Sequence, residues 1–312
     1  MNKKYQIVIF GATGFTGELC VKYMSEKYPD VSIAIAGRNK EKLEMVRSRH
    51  GLSCPIVVAD AFDVEALDKM CQDAEVILST AGPYHKYGSD LVRSYVNAGC
   101  HYVDITGESF WIRDQIEKHH KDAEAKGVRI INACGFDSAP SDLGVFYAVN
   151  KVVGEVESVH CFQALKGESS GGTMETMFSS VDAKLTKGGL GKFSLNPENT
   201  VSVHQKKMTN DKIKIKKIPH IGGWTGPFIM ALPNTRVVRR SAALSKKIGK
   251  YYGENFVYSE GAYYSNKGAA RKVSIMTLVL GLMIFSPLRK FLRPFFRKPG
   301  EGPSQEAMDS GF

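Results

Sequence analysis

Short apolar runs alternate with helical stripes through the first half of the chain. The runs at Tyr5–Phe10, 31–36, 55–59, 75–80, 101–105 and 128–133 are brief and rich in Val, Ile and Ala. That is how strands buried on both faces read. Between them, Leu19, Cys20, Tyr23 and Met24 form one helical stripe, and Leu91, Val92, Tyr95 and Val96 another. Gly99 and Gly127 stand where helices should stop, and Asp63 stands where one starting at Val64 needs a cap. Repeated strand–helix alternation predicts an α/β fold with a parallel, doubly wound sheet over residues 1–150.

The pattern changes near residue 151. A longer alternating strand is expected at 156–165, then a loop at Ser169-Ser170-Gly171-Gly172-Thr173 opening a helix to about Leu185. A glycine run at 188–191 and a Lys-rich stretch at 206–217 follow. Residues 151–270 therefore read as a second, mixed α+β domain for substrate binding or dimerisation, with no internal repeat. Residues 273–286 are the most apolar run of the chain. Basic residues flank it, and beyond Pro287 they interleave with Phe291, Leu292, Phe295 and Phe296. Residues 299–312 read as a polar tail.

Composition narrows the classes. With 312 residues, 43% hydrophobic and 24% charged, the chain can bury a core and is not disordered. A net charge of +10 suits an anionic partner. The six cysteines are scattered without a C-x-x-C pair, which leaves no zinc or redox motif and suits a reducing, intracellular setting. Met1 to Lys4 run straight into the first strand, so no secretion signal is read. No nucleic-acid-binding motif accompanies the positive charge.

Chemistry begins at Gly11-Ala12-Thr13-Gly14-Phe15-Thr16-Gly17, a G-x-x-G-x-x-G loop after a strand and before a helix. In that context the glycines permit the turn, the approach of a pyrophosphate and close helix packing. The helix N-terminus adds N–H donors and a positive dipole end. The sheet is thus of Rossmann type. Where an NAD site needs an acid on the second strand, this chain has Ala36-Gly37-Arg38-Asn39. The Arg38 fork fits a 2′-phosphate, so NADP is the expected cofactor, with Asn39 beside it. Asp60 is placed either to meet the adenine edge or to cap a helix. Thr80-Ala81-Gly82-Pro83 ends the fourth strand and is expected to lie against the ribose and nicotinamide. Tyr84 should then project towards the substrate as proton donor, with Glu108 and Asp137 as carboxylate alternatives. Asp104, Ser138 and Asp142 stand at the same strand ends as further catalytic candidates; the alternatives are that Asp104 holds the turn at Thr106-Gly107 and that Ser138 and Asp142 cap the helix started by Pro140. A rival pair, Tyr147 and Lys151, fits the Y-x-x-x-K of short-chain dehydrogenases.

Several motifs in order resemble the saccharopine dehydrogenase-like oxidoreductases, a family that includes the trans-acting enoyl reductases. They are the glycine loop, Ala36-Gly37-Arg38-Asn39, Ala81-Gly82-Pro83-Tyr84, Tyr102-Val103-Asp104-Ile105-Thr106-Gly107-Glu108 and Gly135-Phe136-Asp137-Ser138-Ala139-Pro140. Lys298-Pro299-Gly300-Glu301-Gly302-Pro303 adds a late P-G-E-G-P match. The resemblance implies an NADP-binding Rossmann domain with an inserted α+β domain, and a place in lipid or glycolipid metabolism. It also implies association with lipid droplets or membranes. Members usually continue past that last motif, so a chain ending at Phe312 reads as a truncated isoform or an incomplete gene model. Two classes of function stay open. One is an NADP-dependent oxidoreductase acting on a lipid-linked double bond or carbonyl. The other is a lipid-surface protein that only retains NADP(H). Residues 271–298 are expected to lie on a membrane or droplet surface, on the cytosolic side, without crossing it. In that expectation Arg289, Lys290, Arg293 and Arg297 meet lipid phosphates. A homodimer is the expected assembly.

Overall fold

The computed structural model describes residues 3–164, 167, 169–183, 191–245, 249 and 252–310. Leu165, Leu185 and the glycine run at 188–190 lie outside the described residues. The first half runs β1 Tyr5–Phe10, α1 Phe15–Lys27, β2 Ile33–Gly37, α2 Lys40–Arg49, β3 Ile56–Val58, α3 Val64–Asp73 and β4 Ala74–Ser79. It continues through α4 Tyr84–Tyr87, α5 Ser89–Ala98, β5 His101–Asp104, α6 Ser109–Ala125 and β6 Ile130–Ile131. These six strands form one parallel sheet in the order β3-β2-β1-β4-β5-β6. The strand order reverses between β1 and β4, which opens a crevice at their carboxyl ends.

Period-two alternation along β1 builds both cores. Val8 and Phe10 pack with Leu67, Met70, Leu91 and Tyr95 from α3 and α5. Ile9 points the other way, to Val21 of α1 and Leu43 and Val46 of α2. Asn39 and Asp63 cap α2 and α3, accepting from Lys42 N at 2.7 Å and Ala66 N at 3.0 Å. Gly99 ends α5 in the left-handed region at φ 65°. One expected stripe is shifted: Val21, with Cys20 and Met24, faces the core, and Leu19 and Tyr23 face solvent.

The second half runs α7 Ala139–Val149, β7 Ser158–Gln163, α8 Gly171–Asp182, α9 Val203–Met208, β8 Lys216–Ile218 and β9 Gly223–Gly226. It ends with α10 Ala231–Ser245, β10 Val257–Tyr264, α11 Lys267–Phe285, α12 Arg289–Leu292 and α13 Gln305–Asp309. Its sheet has the order β7-β10-β9-β8, with β7 parallel to β10 and the other pairs antiparallel. The expected boundary at residue 150 falls earlier. Val145 and Val149 of α7 belong to the second core, with Val238, Ala242, Phe256 and Tyr258. A buried polar network ties α7, α10 and β10 together. Glu260 accepts from Asn234 Nδ2 at 2.9 Å and from the Tyr258 hydroxyl at 2.9 Å, and Ser141 Oγ lies 3.2 Å away.

Residues after α11 are part of the fold rather than a free tail. Glu301 O accepts from Gly171 N at 2.9 Å. A β-carbon at Gly171 would lie 1.7 Å from Lys298 O, and one at Gly302 would lie 2.2 Å from the Phe15 ring. The segment thus presses on α8 and on the glycine loop together. Its arginines depart from the expectation that they meet lipid phosphates. Arg289 donates to Asp182 Oδ1 at 2.7 Å, Arg293 pairs with Glu175 and Asp182, and Arg297 donates to Ser169 O at 3.0 Å. Phe296 also turns inward, edge-on to Phe178 at 5.4 Å, whereas Phe291 and Phe295 are 76% and 86% exposed.

Asp104 joins β5 to the loop after β6. It is buried and accepts from Thr106 N, Ala133 N and Asn132 Nδ2 at 3.1, 3.0 and 2.7 Å. Desolvation outweighs these bonds and pushes its carboxyl up to about 6. The folded chain therefore binds this proton more tightly than the unfolded chain does. Its contribution to stability is complete below pH 4 and is lost as pH rises towards 6, by roughly 3 kcal/mol. Urea denaturation across that range should show this loss, and Asp104→Asn should flatten it. An unchanged slope in the variant would place the titration elsewhere.

Candidate cofactor and active site

The glycine loop is built by close approach. Gly11 has φ +87°, and a β-carbon on it would lie 2.9 Å from Ala81 N. A β-carbon on Gly17 would lie 2.2 Å from Gly11 O. The first turn of α1 is therefore pressed against the end of β1, and Thr80 Oγ1 sits 3.2 Å from Gly11 O. Gly14 differs. It is the N-cap of α1 and no side chain caps the helix there. A β-carbon on it would meet only Gly11 O, at 3.4 Å. Uncapped N–H groups at the end of a 13-residue helix, facing open space, fit a pyrophosphate.

One cavity of about 1110 Å³ opens above this loop. Gly11, Thr13, Gly14, Phe15 and Thr16 line one end, with Arg38, Asn39 and Asp60 beside them. Thr80, Ala81, Gly82 and Pro83 line its middle, and Tyr84, Glu108 and Asp137 also border it. Ala12 and Gly17 stand behind the wall, where Ala12 is buried. Arg38 is exposed at the mouth and Lys42 is near it, so the fork can take a 2′-phosphate. Asn39 has a second task, since its side chain is the cap of α2. Asp60 caps no helix and accepts from Phe62 N at 2.9 Å.

The expected acids separate sharply. Tyr84 borders the cavity, but its hydroxyl turns back to the sheet. It is buried and its hydroxyl donates to Ser79 O at 2.9 Å, and burial pushes the phenol well up. Glu108 is also buried, and its carboxylate is fully engaged. It accepts from Tyr84 N at 2.8 Å and His85 N at 2.9 Å, and lies 2.6 Å from His85 Nδ1. It thus caps α4 and fixes the turn at Gly82 and Pro83, a structural task that no spacing in the sequence announces. His85, its partner, was not anticipated. Among the described residues, Asp137 is the carboxyl bordering the cavity without such bonds; it is exposed at the cavity's edge, and partial desolvation raises it.

The other candidates lie elsewhere. Ser138 donates to Asn234 Oδ1 at 2.9 Å and Asp142 accepts from Ser241 Oγ at 2.9 Å, so neither caps α7. Tyr147 is 66% exposed on α7, away from the cavity, with the Lys151 ammonium 5.3 Å from its ring. The short-chain dehydrogenase pair is therefore not assembled at the crevice. Sequence reasoning missed the far wall. Met177 and Val181 of α8 and Thr277, Leu280, Gly281 and Ile284 of α11 line it. Their spacing of three and four residues was a signal, as was a glycine inside an apolar helix.

The sequence pattern of the saccharopine dehydrogenase NADP binding domain matches residues 7–131, the span of the first sheet. A trans-acting enoyl reductase of Mycobacterium ulcerans is 34% identical over 343 residues, covering 99% of this chain and 79% of that one. A protein of the same name from Mycobacterium leprae is 34% identical with the same coverage. This chain belongs to the saccharopine dehydrogenase-like family. Among solved structures, the L-Glu-forming saccharopine dehydrogenase of Saccharomyces cerevisiae has 18% identity and a TM-score of 0.41, over 47% of this chain and 31% of that one. As a member of the family the chain is an NADP-dependent oxidoreductase, and its glycine loop and Arg38 are the residues that would hold the cofactor. Loss of a charge-assisted contact costs about 1.5–3 kcal/mol. Arg38→Ala should weaken NADPH at least about tenfold and leave NADH nearly untouched. Calorimetry with both cofactors checks this, and equal losses would remove Arg38 from the phosphate site.

Proposed function

We propose that this chain reduces a carbonyl-conjugated double bond of a lipid-linked substrate, using NADPH, at a membrane or lipid-droplet surface facing the cytosol. Such a reaction belongs to lipid or glycolipid metabolism. One observation carries the reading. A single cavity runs from the cofactor loop to apolar walls on α8 and α11, and the outer face of α11 is itself apolar and exposed. The names of the mycobacterial relatives support the choice of an enoyl group.

Bound NADPH supplies a hydride to the β-carbon of the double bond. The chain has to hold the substrate flat, exclude water and return a proton to the α-carbon. Ile105, Phe110 and Pro233 are among the apolar side chains that line the cavity and would exclude water from a bound substrate. Glu108, by fixing α4, holds the Gly82–Pro83 turn in place. Asp137 is the proposed proton donor: it borders the cavity, its carboxyl is raised by partial desolvation, and its exposure lets it recover a proton from solvent. Asp137→Asn should lower kcat about 100-fold with NADPH affinity preserved. In the parent enzyme activity should fall as pH rises through the raised Asp137 pKa, since the protonated form donates. An NADPH-oxidation assay against enoyl thioesters decides this. Full activity in the variant would move the acid elsewhere.

The surface segment is α11 and its continuation. The helix has 19 residues and is long and apolar enough to cross a membrane by length and composition. The shorter run read from the sequence understated it. Its inner face packs on β9, β10 and α8, which favours lying along a surface over crossing it. Ile275, Met276, Leu278, Leu282, Phe285 and Phe291 face outward. This is the opposite of a buried core helix. Because Arg289, Arg293 and Arg297 are paired internally, adhesion should rest mainly on apolar contact. Burying each such side chain contributes about 1.5–3 kcal/mol. The double variant Leu278→Ser, Leu282→Ser should therefore reduce vesicle binding at least about tenfold, with little change between low and high salt. Flotation with neutral and anionic vesicles is the measurement, and an intact protein that floats with neither would defeat the surface assignment.

A further inference from the structure

We infer that the end of the cavity walled by α8 and α11 is a subsite for a linear acyl chain, and that Gly281 sets its width. The inference rests on the reading of the chain as a lipid-active reductase and names the part of the site that selects substrate.

Gly281 is in the interior of α11, where glycine weakens a helix relative to alanine. Two other helix glycines have a steric reason. A β-carbon would collide with backbone at Gly17, 2.2 Å from Gly11 O, and at Gly171, 1.7 Å from Lys298 O. At Gly281 a β-carbon would meet nothing within 4 Å. Gly144 of α7 shares that freedom, but it is on the exposed surface and borders no cavity. Gly281 borders the cavity, half-buried between Thr277 and Ile284 on the same face of α11. Its missing side chain is therefore empty space inside the site, kept at a cost to the helix.

The chemistry of the opposite wall matches. Met177 and Val181 of α8 face Leu280 and Ile284, and these residues pack into one apolar cluster with Phe178. The Ser180 hydroxyl is bonded back to Thr176 O at 2.7 Å, so it offers no free donor to a ligand. A cavity end walled by thioether and branched aliphatic side chains where two helices meet suits a flexible saturated chain. This end joins the cofactor crevice, where the reacting double bond must be. The outer face of the same α11 is the apolar surface already described, so a chain drawn from a lipid phase has a short path.

The test uses the full-length protein loaded with NADP⁺ and two probes, a dansyl-labelled long-chain fatty acid and a dansyl-labelled short-chain acid. Gly281→Phe should lower the ratio of long-chain to short-chain affinity about tenfold, because the ring displaces several methylenes from this end of the cavity. Ile275→Phe, on the outer face, should leave that ratio alone. Thermal unfolding should show Gly281→Ala at least as stable as the parent, since its β-carbon meets nothing and alanine favours the helix, and the melting of Gly281→Phe is measured beside it so that a folding defect is separated from a changed ratio. A ratio unchanged in Gly281→Phe, or a parent protein that binds neither probe, would overturn the subsite. Failure of the parent to reduce enoyl thioesters of any length would instead remove the proposed reaction, and the probe ratio would still decide the subsite.

Discussion

The contact of Gly17 with the carbonyl of Gly11 sets the geometry from which the site is built. No side chain fits between them, so the first turn of α1 is held against the end of β1. That leaves the N-terminus of α1 aimed across the crevice, with its N–H groups uncapped and Gly14 open above them. Backbone dipoles in such a place cost nothing to orient when an anion arrives. A β-carbon at Gly17 would tilt the helix and close the crevice. The same loop then takes Phe15 out to meet Gly302, so the far end of the chain is registered against the cofactor end.

That registration links two halves that each have their own core. The segment from Arg289 to Gly302 threads between α8 and the glycine loop, paired through Arg289 and Arg293 to acids on α8. Ion pairs this exposed contribute little individually. The seat of α8 against α11 is the apolar cluster of Met174, Phe178 and Ile284, with Met177, Val181, Leu280 and Phe296 packed on it. The cavity is the gap between the halves, polar where the first sheet ends and apolar where α8 and α11 meet. One helix therefore presents two surfaces, its inner face walling the cavity and its outer face left apolar to the exterior.

Three acids near the crevice show how position decides role. Asp104 and Glu108 stand four residues apart at the carboxyl end of β5, where catalytic groups are commonly found. Both are spent on backbone: Asp104 on Thr106 and Ala133, Glu108 on Tyr84 and His85. Asp137 follows β6, keeps its oxygens free of such bonds, and borders the cavity. Three carboxyls of similar appearance in the sequence thus divide into two braces and one that borders the cavity without a hydrogen-bond partner among the described residues.

The strand–helix alternation, the glycine spacing and Arg38 were enough to determine the parallel sheet, the phosphate loop and the choice of NADP. These are properties of local chemistry: period-two burial in strands, backbone freedom at glycine, and a charged fork at a strand end. They need no knowledge of distant partners. The direction of Tyr84, the engagement of Glu108 by His85, and the pairing of Arg289 and Arg293 with α8 were decided by the tertiary structure alone. Each depends on which donor or acid arrives from a segment far along the chain, as Glu175 does for Arg293 across 118 residues. The membership of α7 in the second core and the two faces of α11 have the same origin. An apolar helix carries no mark of which side will be covered, and only packing against β9, β10 and α8 makes Gly281 an interior position.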